Sequence, residues 1–162
     1  MNTALIQRVL ATNDSLAGLA LRIPAGIIFM AHGAQKLFGA FGGYGLEGTG
    51  QWMASIGLEP GYLMALAAGS AEFFGGLALL LGLLTRPAAL VLAVTMIVAI
   101  LSVHIGNGLF MSNNGYEFGL ALVAISVALA IQGGGAVSVD RLLAARLNGV
   151  PRPLSNVRVS AA

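Results

Sequence analysis

Residues 61–84 run for 24 positions with a single charge, Glu72. A hydrocarbon core of roughly 30 Å takes about 20 helical residues to cross. Such a stretch fits a bilayer and fits a small soluble core badly. Three further runs follow the same rule. Residues 15–39 are apolar apart from Arg22, His32, Gln35, Lys36 and Ser15; residues 87–104 carry no charge before His104; residues 115–133 have Glu117 near their start. The runs are continuous rather than alternating, and too long for barrel strands. They predict an all-α membrane protein, a four-transmembrane-helix bundle with spans near 15–39, 61–84, 87–104 and 115–133. Only 9% of the residues are charged, against about a quarter in a soluble domain. A soluble chain of 162 residues could not bury the remainder in one core. The lipid bilayer is therefore the first partner to expect.

The spans are too closely spaced for two domains, so residues 1–135 read as one membrane domain and 136–162 as a basic tail. The first run is interrupted by Arg22 and preceded by Asn13 and Asp14 rather than by basic residues, so it reads as a retained span and not a cleaved signal. Residues 40–60 form a Gly-rich connection in which 51–58 can make a short interfacial helix carrying Trp52. The second connection holds Arg86-Pro87, the proline suiting a first helical turn. Residues 106–114 are uncharged and turn-like. After three glycines at 133–135, residues 139–147 form a short amphipathic piece. Arg8, Arg86, Arg141, Arg146, Arg152 and Arg158 fall on one side, and only Lys36, with Glu47 and Glu59 beyond it, on the other. The positive-inside rule then predicts that both termini are cytoplasmic and that the tail is a cytoplasmic one.

Ionisable residues within spans are rare and face a bundle interior or a cavity. At about 100° per residue, Arg22, Gly26, Phe29, Gly33 and Lys36 share an arc of about 80° on the first span, with His32 beside them. On the second span Ala68, Gly69, Glu72, Gly75 and Gly76 share a face, and small residues there let helices approach closely. On the fourth, Glu117 lies above Ala121, Ala124 and Ala128. Glu72 falls mid-membrane, whereas His32, Lys36, His104 and Glu117 fall near the outer ends. An outward-facing polar pocket with Glu72 toward its floor is the expected result. The candidate ligand-binding residues are His32, Lys36, Glu72, His104 and Glu117. Each has a purely structural alternative. Arg22 and Glu72 are candidates for a structural ion pair, since either charge alone in low dielectric is costly. Lys36 can snorkel to the interface, and His104 and Glu117 can cap helices. His32 sits one turn from Lys36 and is a residue that titrates near neutrality.

Other chemistry finds no carrier. There are no cysteines, hence no thiolate nucleophile and no iron–sulfur ligation. No metal site is expected, since the two histidines are far apart and lack a pattern such as HExxH. The glycines at 42, 43 and 45 follow no strand and make no nucleotide loop. The tail arginines lack interleaved aromatics, and no nucleic-acid partner is expected.

Three blocks carry a family resemblance. Arg22-Ile23 with His32-Gly33-Ala34-Gln35-Lys36-Leu37-Phe38 resembles the first span of DoxX-family membrane proteins. Trp52-Met53-Ala54-Ser55-Ile56-Gly57-Leu58 resembles the family's stretch before span two. Ala71-Glu72-Phe73-Phe74-Gly75-Gly76, continuing through Leu81-Gly82-Leu83-Leu84-Thr85-Arg86, resembles its most distinctive block. The resemblance spans about residues 16–133. It implies Arg22, His32, Lys36 and Glu72 as motif positions, a multi-pass protein of a bacterial inner membrane, and kinship with the small quinone-reducing subunit of an archaeal thiosulfate:quinone oxidoreductase. Other members are linked to quinone or catechol stress and to membrane complexes handling oxidative stress. The chain encodes no cofactor site, so a quinone is expected as ligand or substrate. A redox partner subunit would supply electrons, and further copies of the chain are possible partners. The reading is a redox-associated membrane protein, a subunit of a quinone-linked oxidoreductase, that binds a quinone-like or small aromatic ligand. A small-molecule permease or exporter, and a structural subunit of a membrane complex, are the alternatives.

Overall fold

Apolar runs of this length can satisfy their backbone groups in lipid only by coiling, and the computed structural model shows helices throughout. It describes residues 3–147; Arg152, Arg158 and the rest of 148–162 lie outside the described residues. Seven α-helices are present among those residues: α1 Thr3–Val9, α2 Ala17–Phe38, α3 Gly45–Ser55, α4 Gly61–Leu81, α5 Thr85–Ala99, α6 Glu117–Gln132 and α7 Val139–Leu147. Three rods are long and apolar enough to cross a membrane: α2, α4, and α5 with its continuation to Asn107. The fourth apolar helix, α6, is shorter at 16 residues.

Helix ends follow backbone chemistry. α2 stops where Gly39 turns left-handed (φ 70) and its N–H caps the carbonyls of Ala34 and Gln35. α4 stops in the same way at Gly82 (φ 65), three residues short of the expected span end at 84. α5 begins two residues earlier than expected, and its first N–H groups are capped from far along the chain. The carboxylate of Asp140, on α7, accepts from the N–H of Leu84 (2.6 Å) and of Thr85 (2.8 Å). After Ala99 the rod loosens into a π turn over Ile100–His104 and a 3₁₀ turn over Ile105–Asn107. The short helix expected over 51–58 starts earlier, at Gly45, and ends at Ser55, just before Gly57 adopts φ 85.

α2 packs along α4, α4 against α5, α5 along α6, and α6 back against α2, while α3 lies on α4. The α2–α4 contact is built from glycines. A Cβ on Gly26 would lie 2.8 Å from the carbonyl oxygen of Gly76, and one on Gly33 would lie 2.7 Å from that of Gly69. Most of the stripe expected from helical phase is buried, namely Arg22, Gly26, Phe29 and Gly33 on α2 and Gly69, Glu72 and Gly76 on α4, whereas Lys36, Ala68 and Gly75 are half-buried and His32 is exposed. The core proper joins Phe29, Leu79, Leu92, Leu122 and Leu129. The outer faces remain apolar, with Ile27, Phe74, Leu90, Leu101 and Ile131 exposed, as lipid-facing positions require.

The N- and C-terminal segments meet at one end of the bundle, the α7 end. Arg141 pairs with Asp14, the Ala136 N–H donates to the Ser15 carbonyl (3.1 Å), and Arg86 Nε donates to the Ala11 carbonyl (2.7 Å). Both described ends of the chain are therefore on one side.

Candidate functional site

At the opposite end, beside α3, the four main helices enclose a cavity of about 760 Å³. Its walls are mostly apolar. Phe29 and Met96 close it from below, Trp52 and Met53 come from α3, and Phe118 comes from α6. The polar groups that reach it are few: His32 and Lys36 from α2, Glu72 from α4, Thr95, Ser102 and His104 from the α5 rod, and Asn114 from the loop before α6.

The pair at its centre is Lys36 and Glu72. Lys36 Nζ lies 2.6 Å from Glu72 Oε2, with the Glu72 side chain 6% exposed and that of Lys36 24%. This corrects the expectation that Arg22 pairs with Glu72. α2 and α4 run antiparallel in a register that puts Gly26 opposite Gly76 and Gly33 opposite Gly69, so Arg22 lies level with the last turn of α4. Glu72 is about eight residues, or about 12 Å, further along. Lys36 reaches back to it instead of snorkelling to an interface.

Arg22 has a different task. It is buried at the α7 end, where its Nε donates to the Gly134 carbonyl (3.0 Å) and its Nη1 to those of Leu79 (3.0 Å) and Leu80 (2.6 Å). Its Nη2 donates to the Val137 carbonyl. One guanidinium thus ties carbonyls of the last turn of α4 to the segment leading into α7, where a positive charge also suits the helix dipole. It does not line the cavity.

The remaining candidates divide. His32 lines the cavity one turn below Lys36, its ring centroid 6.5 Å from that of Phe118. Among the described residues its imidazole makes no hydrogen bond, so both ring nitrogens are available. His104 also lines the cavity, and its Nδ1 lies 2.9 Å from the Asn114 carbonyl oxygen. A carbonyl only accepts, so Nδ1 carries the proton and Nε2 is left as an acceptor. Glu117 is not brought to the site: its Oε1 accepts from the Met111 N–H (2.6 Å), holding the 3₁₀ turn at 111–113. It braces a loop rather than capping α6.

Two features of the site escaped the sequence reading. Trp52 and Met53 form a wall of the cavity, although Trp52 alone reads as an interfacial anchor. The π turn at 100–104 brings Ser102, Val103 and His104 onto the cavity; π turns often mark functional sites, but nothing in the apolar run 94–103 announces one. Asp140, buried and fully engaged at the other end, was also missed. An acidic residue in a short amphipathic piece carries no sign of the helix it caps.

Comparison with known proteins agrees with this architecture. The DoxX family model matches residues 17–105, from α2 to the end of the π turn. The chain is 38% identical over 111 residues to "Putative oxidoreductase CatD" of Bacillus subtilis (strain 168), covering 68% of this chain and 76% of that protein. It is 38% identical over 136 residues to the inner membrane protein YqjF of Escherichia coli (strain K12), covering 80% of this chain and 94% of the relative. The inner membrane protein YphA of the same strain is 30% identical over 128 residues, covering 76% and 87%. No solved structure matches the chain. The match over more than half the chain, the relatives covered along most of their length and the bundle of apolar helices identify the protein as a member of the DoxX family, a multi-pass protein of the bacterial inner membrane.

Proposed function

We propose that the cavity is a binding site for a quinone-like or small aromatic ligand, and that the protein serves as the membrane subunit of a quinone-linked redox system. The observation that carries this reading is the combination at one place of a cavity of about 760 Å³, within the size range of small-molecule sites, and an imidazole with no hydrogen-bond partner among the described residues. Aromatic and methionine walls suit a flat ring. His32 and Lys36 are donors for ring oxygens, and Glu72, behind Lys36, is placed to pass protons to them. Reducing a quinone to the quinol takes two electrons and two protons. In this reading the chain supplies the proton path, and a partner redox subunit supplies the electrons. The name of the Bacillus relative, an oxidoreductase, supports the same class.

His32 gives a clean test because its replacement breaks no hydrogen bond within the described protein. His32→Ala should fold and melt as the wild type does. In a thermal-shift titration with 2-methyl-1,4-naphthoquinone, the wild type should gain stability in a saturable way, and His32→Ala should gain little. Equal shifts in both proteins would indicate partitioning into detergent and would remove the reading's support. Saturable flux of the compound across vesicles, without redox coupling, would favour a permease instead.

Sidedness in this reading follows the arginines, which put both termini in the cytoplasm and the cavity toward the outer face. Tags on both termini should report the cytoplasm, and a reporter inserted between Gly42 and Gly50 the outside. An external C-terminus would reverse the cavity's orientation.

A further inference from the structure

The cavity sits in a gap between two neighbouring helices, and the gap has a definite shape. α4 and α5 leave their short connection close together. They touch at Gly75, where a Cβ would lie 3.0 Å from Leu92 Cδ2 and Cγ. Counting along both antiparallel helices from that contact pairs Glu72 with Thr95, then Ala68 with Ala99, then Met64 with Val103. All six line the cavity. Beyond the Gly75–Leu92 contact, then, the two helices face each other across open space. The π turn at 100–104 lies at that widening end.

The rim of the gap belongs to the lipid-facing surface. On α5, Val94 and Val98 line the cavity and are 61% and 50% exposed. Val94 falls within about 60° of Leu90, Ile97 and Leu101 on the helical wheel, and these are exposed without lining the cavity. On α4, Ala67 and Met64 line the cavity and are exposed, and Ala67 falls within about 20° of Phe74, which is exposed outside it. The same apolar belt that meets the acyl chains therefore continues into the cavity between α4 and α5. The polar groups that α2 and α4 bring to the cavity lie beyond this rim: Glu72 is buried, Lys36 half-buried, and His32, one turn from Lys36, is exposed.

From this geometry we infer that the cavity loads sideways from the bilayer, through an opening between α4 and α5, and that its ligand is a membrane-dissolved amphiphile: an oxygen-bearing head seated at His32 and Lys36, and an apolar tail left lying between Val94, Val98 and Ala67. The inference rests on the proposed ligand-binding role and narrows it. A water-soluble ligand needs no apolar rim, and desolvating one through lipid would cost free energy. A tailed molecule already in the bilayer meets a surface of its own polarity until its head reaches His32 and Lys36.

The test uses the full chain in phosphatidylethanolamine–phosphatidylglycerol nanodiscs, with two probes that share a head: 2-methyl-1,4-naphthoquinone, and the same ring bearing an isoprenoid tail. Val94→Trp and Val98→Trp place an indole across the rim, and Ile97→Trp places it on the lipid face beside the opening. Both rim variants should bind the tailed probe about tenfold or more weakly than wild type, while the tailless probe and Ile97→Trp stay near wild type. Unchanged affinity for the tailed probe in both rim variants would overturn side entry and leave the ligand-binding role intact. Equal losses for both probes would mean that the cavity has collapsed, and would overturn it too. Binding of neither probe by the wild type would instead sink the ligand-binding role on which the inference rests. A dimer in native mass spectra of the wild type that Val94→Trp dissociates would show that a second copy, not an amphiphile, fills the opening.

Discussion

Gly33→Val should leave almost no folded protein in the membrane. At this position any Cβ would meet the backbone of α4, at the Gly69 carbonyl oxygen (2.7 Å) and the Phe73 Cα (2.7 Å). Backbone cannot rotate away as a side chain can, so relief requires separating α2 from α4. Overpacking against movable side chains typically costs about 1–3 kcal/mol. Prying apart the two most extensively packed helices should exceed that range and approach the marginal stability of the whole fold. The measurement is the yield of monodisperse protein after extraction, together with its melting temperature. Gly106→Ala is the matched control, since nothing lies within 4 Å of a Cβ there, and it should be neutral. A Gly33→Val protein that extracts and melts like wild type would mean that the α2–α4 contact is not as close as described.

Arg22→Met should be the most damaging change among the charged residues. It removes a donor set that serves four carbonyls at once, those of Leu79, Leu80, Gly134 and Val137. Bonds from a charged donor are worth about 1.5–3 kcal/mol each in mutational series; the Leu79 carbonyl keeps the Gly82 N–H, but the others would lose the charged donor they share at a buried end of the bundle. A loss of about 3–5 kcal/mol is expected, and Arg22→Lys should recover little of it because an ammonium cannot span the same fork. Unfolding in mixed micelles measures this and also separates the two basic residues of α2. Arg22→Met and Glu72→Gln should add to within about 0.5 kcal/mol, as distant sites do, whereas Lys36→Met and Glu72→Gln should show a coupling of about 1 kcal/mol or more. Coupling between Arg22 and Glu72 would contradict the register of α2 on α4.

How much of this was legible in the chain itself depends on the distance over which each feature is decided. Span positions and the buried stripes are local: an apolar run, a glycine that turns left-handed, and a 3.6-residue period suffice, and the seam of Gly26, Gly33, Gly69 and Gly76 was readable from spacing alone. The error on Glu72 was one of register. Helical phase says that Arg22, Lys36 and Glu72 all face inward, but it does not say how far α2 slides along α4, and a slide of two turns decides which cation the carboxylate meets. The early start of α5 has the same origin, because its cap comes from Asp140. His32 and Glu117 illustrate the limit on the site. Both sit near span ends with similar polarity, and only tertiary contacts leave the first with no hydrogen bond among the described residues and commit the second to Met111.

The cap on α5 also has a history during synthesis. Leu84 and Thr85 leave the ribosome 56 and 55 residues before the aspartate that receives their N–H groups. At about 5–20 residues per second that interval lasts roughly 3–11 s. Throughout it, α4 and α5 can already be in the bilayer as a hairpin whose turn holds two unsatisfied donors, and although Arg22 can already donate through Nη1 to the Leu79 and Leu80 carbonyls, its Nε and Nη2 still wait for the Gly134 and Val137 carbonyls to emerge. The clasp at this end is therefore fastened last. It turns a set of inserted helices into a locked bundle only when translation has passed residue 140, at the far end of the molecule from the cavity.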